Sequence, residues 1–234
     1  MAKYKEFKSD KKDVTFGCYS ERGIMSYYFF NYLPSENHVK IFFQSASKEN
    51  PQIKNAWENI SDVCIFSEFE LGNIGFGSPD GAISFKVNGE TFFIFIEAKF
   101  NETYEKSNGK HKIGDKNYNS TLKGQLELRA RFVKTLFLND TLTEETKIEE
   151  NPDDYAKKEY FYRDGKSNKE NRHLILKEGV QSLVQKIHSC KKENIFYLAI
   201  TEESENPFKN CENLPNGIET EKLLWMPADF FINP

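Results

Sequence analysis

The chain has 234 residues, 38% of them hydrophobic, 29% charged and 15% aromatic, with a formal net charge of −4. At roughly 100–200 residues per domain this is one domain with room for a real core, and its aromatic content sets it apart from disordered chains. The acidic balance excludes nucleic-acid binding by bulk charge, so any polyanion partner must meet a local basic patch.

The segment 1–13 is basic and polar and has no apolar run of the kind an export signal carries. No stretch approaches the ~20 apolar residues that span a bilayer. A cytoplasmic chain away from membranes is expected. Cys18, Cys64, Cys190 and Cys211 lack metal-type spacing and are expected as free thiols.

Ser20 to Leu33 reads as a helix, capped by Ser20 and stopped by Pro34. Val63 to Leu71 reads as a strand that begins apolar and then alternates. Ala82 to Val87 and Thr91 to Phe100 read as two further strands. Asn88-Gly89 between them is the strongest short hairpin signal. Asn101 to Asn119 is lysine-rich with little apolar pattern and reads as a loop. Leu122 to Leu138 and Leu174 to Ile187 both carry apolar residues near helical period. The intervening Asn139 to Asp154 is acidic. Ile195 to Ile200 is a short apolar strand, and the apolar tail from Leu223 is expected to dock on the core. The whole predicts one α/β domain over 1–234, a central mixed β-sheet flanked by helices, with a lysine-rich loop and helical insertion at about 101–171.

Chemistry concentrates on the hairpin. With Asn88 and Gly89 as the turn, Val87 faces Glu90, and counting back along both strands brings Asp80 opposite Glu97. Directly paired residues share one face of a sheet, and Lys99, two residues beyond Glu97, shares it too. Two carboxylates facing each other beside the apolar Ile94-Phe95-Ile96 run repel and are desolvated together. A bound divalent cation removes that conflict. Carboxylate oxygens suit Mg²⁺, and the Ala98 carbonyl offers one more ligand. Such a cation lowers the pKa of a bound water and offsets phosphate charge. Lys99 would orient or deprotonate that water, or stabilise the charge developing on phosphorus. The plainer alternative has Asp80 making a local turn bond and Glu97 and Lys99 solvated at a strand end.

Pro79-Asp80, followed after a hairpin by Glu97-Ala98-Lys99 at the end of an apolar strand, resembles the PD-(D/E)XK nuclease superfamily, the restriction-endonuclease-like fold. The resemblance spans Glu21 to Ile200 in element order, α-β-β-β-α-β. It implies a Mg²⁺-dependent nuclease, with Mn²⁺ as a substitute, cutting phosphodiester bonds in DNA as a restriction, defence or repair endonuclease. A homodimer is an assembly open to it. By the same resemblance Asp80 and Glu97 are metal ligands and Lys99 is the catalytic lysine. Glu21, from the first helix, is a further ligand. Gln125, in Lys123-Gly124-Gln125-Leu126, is the glutamine that many members place on the helix after the third strand. The later helix, bearing Gln181 and Gln185, competes for that place.

Weaker features have structural readings beside functional ones. Glu21 suits a helix N-terminus in any case. Glu68 and Glu70 fit an exposed strand face, and Gln125 an exposed helix position. Lys106, Lys110, Lys112, Lys116 and Lys123, continuing to Arg129, Arg131 and Lys134, make the most basic region, either a phosphate contact or a solvated surface. Tyr27, Tyr28, Phe29, Phe30 and Tyr32 fit a core better than a base-stacking platform. Phosphate-loop, serine-elbow and dinucleotide fingerprints are missing; the Gly-rich 72–77 precedes a strand, not a helix. The rival to an active nuclease is a catalytically silent nucleic-acid-binding or assembly module of the same fold.

Overall fold

The computed structural model describes residues 5–8, 15–18, 21–46, 50, 57–67, 69, 71, 78–100, 110–113, 116–119, 121–137, 145–147, 173–175, 181–209 and 214–229. In chain order they form β1 (Lys5–Lys8), β2 (Thr15–Cys18), α1 (Glu21–Tyr32), α2 (Glu36–Ala46), β3 (Ile60–Phe66), β4 (Gly81–Val87) and β5 (Glu90–Lys99). There follow β6 (Lys110–Ile113), β7 (Lys116–Asn119), α3 (Leu122–Phe137), β8 (Glu145–Lys147), β9 (His173–Ile175), α4 (Gln181–His188), β10 (Ile195–Thr201) and β11 (Leu223–Pro227).

Five strands make one open mixed sheet in the order β11-β10-β5-β4-β3. β3, β4 and β5 are an antiparallel meander, while β10 lies parallel to both β5 and β11. A parallel neighbour demands a crossover, and the chain between β5 and β10 passes through α3 and α4. Alternation along β5 divides the core. Ile94, Ile96 and Ala98 pack with α1 and α2, and Phe93 and Phe95 pack with α3 and α4. The sheet is thus covered on both faces, which is why its central strands read as near-continuous apolar runs.

Aromatic residues fill the α1/α2 side. Trp57 lies within 5.8 Å, ring centre to ring centre, of Phe43, Phe85, Phe92 and Phe196. Such pairs contribute about 0.5–1.5 kcal/mol each beyond area burial. Tyr27, Tyr28 and Phe29 belong to this core, whereas Phe30 is 80% exposed. Among the described residues no helix is long and apolar enough to cross a membrane.

Four expectations change. The 101–119 segment holds a backbone hairpin, with β6 paired antiparallel to β7, where a plain loop is expected from its polarity. The 174–187 helix is shorter: His173–Ile175 pairs with Glu145–Lys147 as a strand, and the helix covers only Gln181–His188. Partners far apart in sequence decide that pairing, so local apolar spacing misreads it. The tail does more than dock, since Leu223–Pro227 is an edge strand of the main sheet. A helix at Glu36–Ala46 adds to the expected set and buries Val39, Phe42, Phe43 and Ala46 at helical spacing.

Candidate active site

The β4–β5 turn has Asn88 at φ 50° and Gly89 at φ 85°. Two left-handed residues form the turn type that matches strand twist, which is why Asn-Gly stands there. The register then holds along the whole hairpin, from Val87 opposite Glu90 to Gly81 opposite Ile96. Gly81 opens β4 because α1 needs the space: a Cβ there would sit 2.6 Å from the Phe29 ring.

Asp80 is the next residue out, only 6% exposed. Its Oδ2 accepts the Ala98 N–H at 2.9 Å. Glu97, fully buried, follows Phe93 and Phe95 on the side that α3 covers, and Lys99 continues that side, half-buried. On the other flank of β5 the parallel ladder sets Ala199 beside Glu97 and Thr201 beside Lys99. Thr201 is itself fixed: its Oγ1 accepts the Trp225 Nε1–H at 2.9 Å, and its carbonyl accepts the Ala228 N–H at 2.6 Å.

From α3, Arg129 donates through Nε to Oε1 of Glu97. Arg129 is 1% exposed, so this is an ion pair within the core. Oε2 of Glu97 is buried and has no hydrogen-bond partner. Gln125 stands one turn before Arg129 on the same helix face, and its Oε1 is likewise buried without a hydrogen-bond partner. A buried acceptor without a donor is costly, so each of these oxygens calls for a hydrogen or a cation.

The structure therefore gathers Asp80, Glu97, Ala98 and Lys99 at one end of the hairpin, with Gln125 and Arg129 on the helix above the sheet. Ala98 contributes its N–H to Asp80, a contact that differs from the carbonyl ligation the sequence suggests. Arg129, grouped in the sequence with surface phosphate contacts, is seated in the core as the counter-ion of Glu97. Its position was legible in one respect: Leu122, Leu126, Arg129, Val133 and Leu136 form a single inward stripe of α3. A charge inside such a stripe needs a buried partner.

Other candidates lie elsewhere. Arg131, partly buried, lines a cavity of about 590 Å³ with Glu127, Lys134, Ile195, Tyr197 and Lys222. That cavity opens toward the start of β10, and Asp80, Glu97 and Lys99 are not among its lining residues. Glu127 helps to shape it, its Oε1 accepting the Asn216 N–H at 2.9 Å. Burial raises the Tyr197 hydroxyl well above its ordinary pKa, so this hydroxyl stays protonated. Lys123 is half-buried in the first turn of α3. Lys110 and Lys112 belong to β6 and Lys116 to β7, where they pair with Asn119, Asn117 and Ile113. Glu21 is the first residue of α1, and its side chain lies outside what is described. Glu68, Glu70, Lys106 and the Gly-rich 72–77 lie outside the described residues. Among the described residues, no three His, Cys, Asp or Glu side chains are grouped to hold a metal ion.

Comparison of the chain with family models, with curated proteins and with solved structures gives no match in any of the three.

Proposed function

We propose that this chain is a metal-dependent nuclease with a restriction-endonuclease-like core, cutting phosphodiester bonds within DNA. The observation that carries the reading is the buried Glu97 Oε2, a carboxylate oxygen without a hydrogen-bond partner, on the residue before Ala98, whose N–H is held by Asp80. Support also comes from element order: two helices, an antiparallel three-strand meander, and, after the β6–β7 hairpin, α3, the β8–β9 pair and α4, a strand parallel to the third strand of the meander.

The donor set fits a hard divalent cation, with Asp80 and Glu97 as the residues that would hold Mg²⁺ or Mn²⁺. When bound, that ion supplies a water of lowered pKa and charge compensation for phosphate. The chain's own groups divide the remaining work. Lys99, half-buried at the strand end, orients the attacking water or stabilises charge on the phosphoryl oxygens. Gln125 offers an amide one helix turn before Arg129. The lysines of the β6–β7 hairpin and Lys123 position the nucleic-acid backbone.

The test is cleavage of plasmid and of single-stranded DNA and RNA with Mg²⁺, with Mn²⁺ and with EDTA, for wild type and Lys99→Ala. Metal-dependent nicking that Lys99→Ala abolishes supports the reading, and its absence on every substrate counts against it. One observation favours a second reading, a silent nucleic-acid-binding or assembly module. Arg129 already compensates Glu97, so the site is charge-balanced without a cation. DNA binding without metal uptake or cleavage distinguishes that case.

A further inference from the structure

We infer that Arg129 is the specificity-determining residue of this site: by holding Oε1 of Glu97 it restricts that carboxylate to one-oxygen ligation and selects a small octahedral cation over calcium. The inference rests on the reading of Asp80 and Glu97 as cation ligands.

Three facts lead to it. Arg129 is 1% exposed, so it acts on its neighbours in the core and not on a nucleic acid in solvent. Its contact with Glu97 runs through Nε to one carboxylate oxygen, leaving Oε2 as the oxygen without a hydrogen-bond partner. Asp80 is also committed on one side, since its Oδ2 holds the Ala98 N–H. A site offering carboxylates in this partly used form favours one-oxygen contacts. Mg²⁺ and Mn²⁺ accept these in near-octahedral shells completed by water. Ca²⁺ takes six to eight oxygens and readily uses a carboxylate through both. Partners that orient a ligand in this way tune metal affinity as strongly as many ligands do.

Calorimetric titration of the full chain with Mn²⁺ and, separately, with Ca²⁺ tests this. Both ions carry the same charge, so losing a neighbouring positive charge moves both affinities in the same direction. Releasing Oε1 for two-oxygen ligation raises the ligand number, which favours Ca²⁺ and moves their ratio. Wild type is expected to prefer Mn²⁺. In Arg129→Met, where Oε1 is released, the preference is expected to fall about tenfold or more. Arg129→Lys, which keeps a charged donor for Oε1, is expected to keep most of it. If Arg129→Met does not fold, as judged by circular dichroism, Arg129→Gln takes its place, because its side chain is too short to reach Oε1 as the arginine does.

An unchanged Mn²⁺ to Ca²⁺ ratio in a folded neutral variant overturns the role of Arg129. In that case Mn²⁺ uptake by wild type and its loss in Glu97→Gln would leave the cation site intact. Wild-type protein that takes up neither ion overturns the site and the inference together.

Discussion

Asp80 Oδ2 and the Ala98 N–H meet at 2.9 Å just beyond the last ladder pair of the β4–β5 hairpin, Gly81 with Ile96. The aspartate thus finishes the edge of the ladder with a side chain, and any metal role is added to that structural one. The two roles separate by substitution. Asp80→Asn keeps an oxygen for Ala98 and removes the charge, so stability should change little while cleavage is lost. Asp80→Ala strands a buried N–H and should lower stability by about 1–3 kcal/mol. Urea unfolding of the two variants beside a cleavage assay checks both parts. Wild-type cleavage by Asp80→Asn would remove this residue from the site.

The register from Val87 opposite Glu90 to Gly81 opposite Ile96 was readable because a two-residue Asn-Gly turn leaves no freedom in pairing, and Asp80 and Glu97 are the next residues out on their strands. The face shared by Glu97 and Lys99 follows from strand alternation alone. Arg129 was harder to read. Its neighbours Arg131 and Lys134 suggest a basic surface, and only the position of Arg129 within the apolar stripe of α3 betrays a partner across the core. The pairing of His173–Ile175 with Glu145–Lys147 was not readable at all. It joins segments separated by more than twenty residues, and neither carries a turn signal that would fix a register. The Glu36–Ala46 helix was within reach, since Val39, Phe42, Phe43 and Ala46 repeat at helical spacing right after Pro34.

The Arg129–Glu97 pair should be expensive to break and cheap to replace. Removing one partner leaves a buried charge alone, so Arg129→Met or Glu97→Leu should each cost about 3–5 kcal/mol. Replacing both by apolar residues of similar volume should recover most of that loss, because desolvating two ions offsets much of their attraction. Denaturant midpoints of the two single variants and of the double variant form the cycle. Additive losses in the double variant would show that the two side chains contribute independently.

Cys190 gives the alkaline limb of the stability profile. Burial pushes its thiol up to about 12 against the weaker opposing influence of Lys186, and its Sγ lies 3.1 Å from the Lys186 carbonyl oxygen. The folded protein keeps a proton that the unfolded chain releases above about pH 9. Stability from this group is therefore full below pH 9 and declines as pH rises toward 12, by at most about 1.4 kcal/mol per unit. Tyr28 and Tyr197 are raised by burial in the same direction and add to the decline at higher pH. Urea unfolding of wild type and Cys190→Ala between pH 8 and 11 isolates the cysteine, because the packing loss in the variant does not vary with pH. Parallel curves would contradict the shift. Iodoacetamide labelling of the native protein should modify the half-buried Cys64 well before Cys190, since both are free thiols and only one is accessible.

The hairpin lysines and the core arginine should differ in salt dependence. Lys110, Lys112 and Lys116 lie on the short hairpin that follows β5, the strand carrying Glu97 and Lys99. If they contact the nucleic-acid backbone, each neutralisation should reduce the slope of log K against log salt by about 0.9 for duplex DNA, or about 0.7 for a single strand. The triple glutamine variant should then bind more weakly at low salt and lose most of that deficit as salt rises, because the missing term is counterion release. Its cleavage rate at saturating DNA should stay near wild type, since phosphate contacts of this kind position the duplex without touching the scissile bond. Arg129→Lys is the internal control. Its parent residue is 1% exposed and bonded to Glu97, so the slope should not change although a charged side chain of the same basic stretch has been altered. Fluorescence anisotropy with a labelled duplex across a salt series measures both. A slope unaffected in the triple variant would move the DNA-facing surface away from the β6–β7 hairpin and leave Lys123, at the start of α3, as the next residue to neutralise.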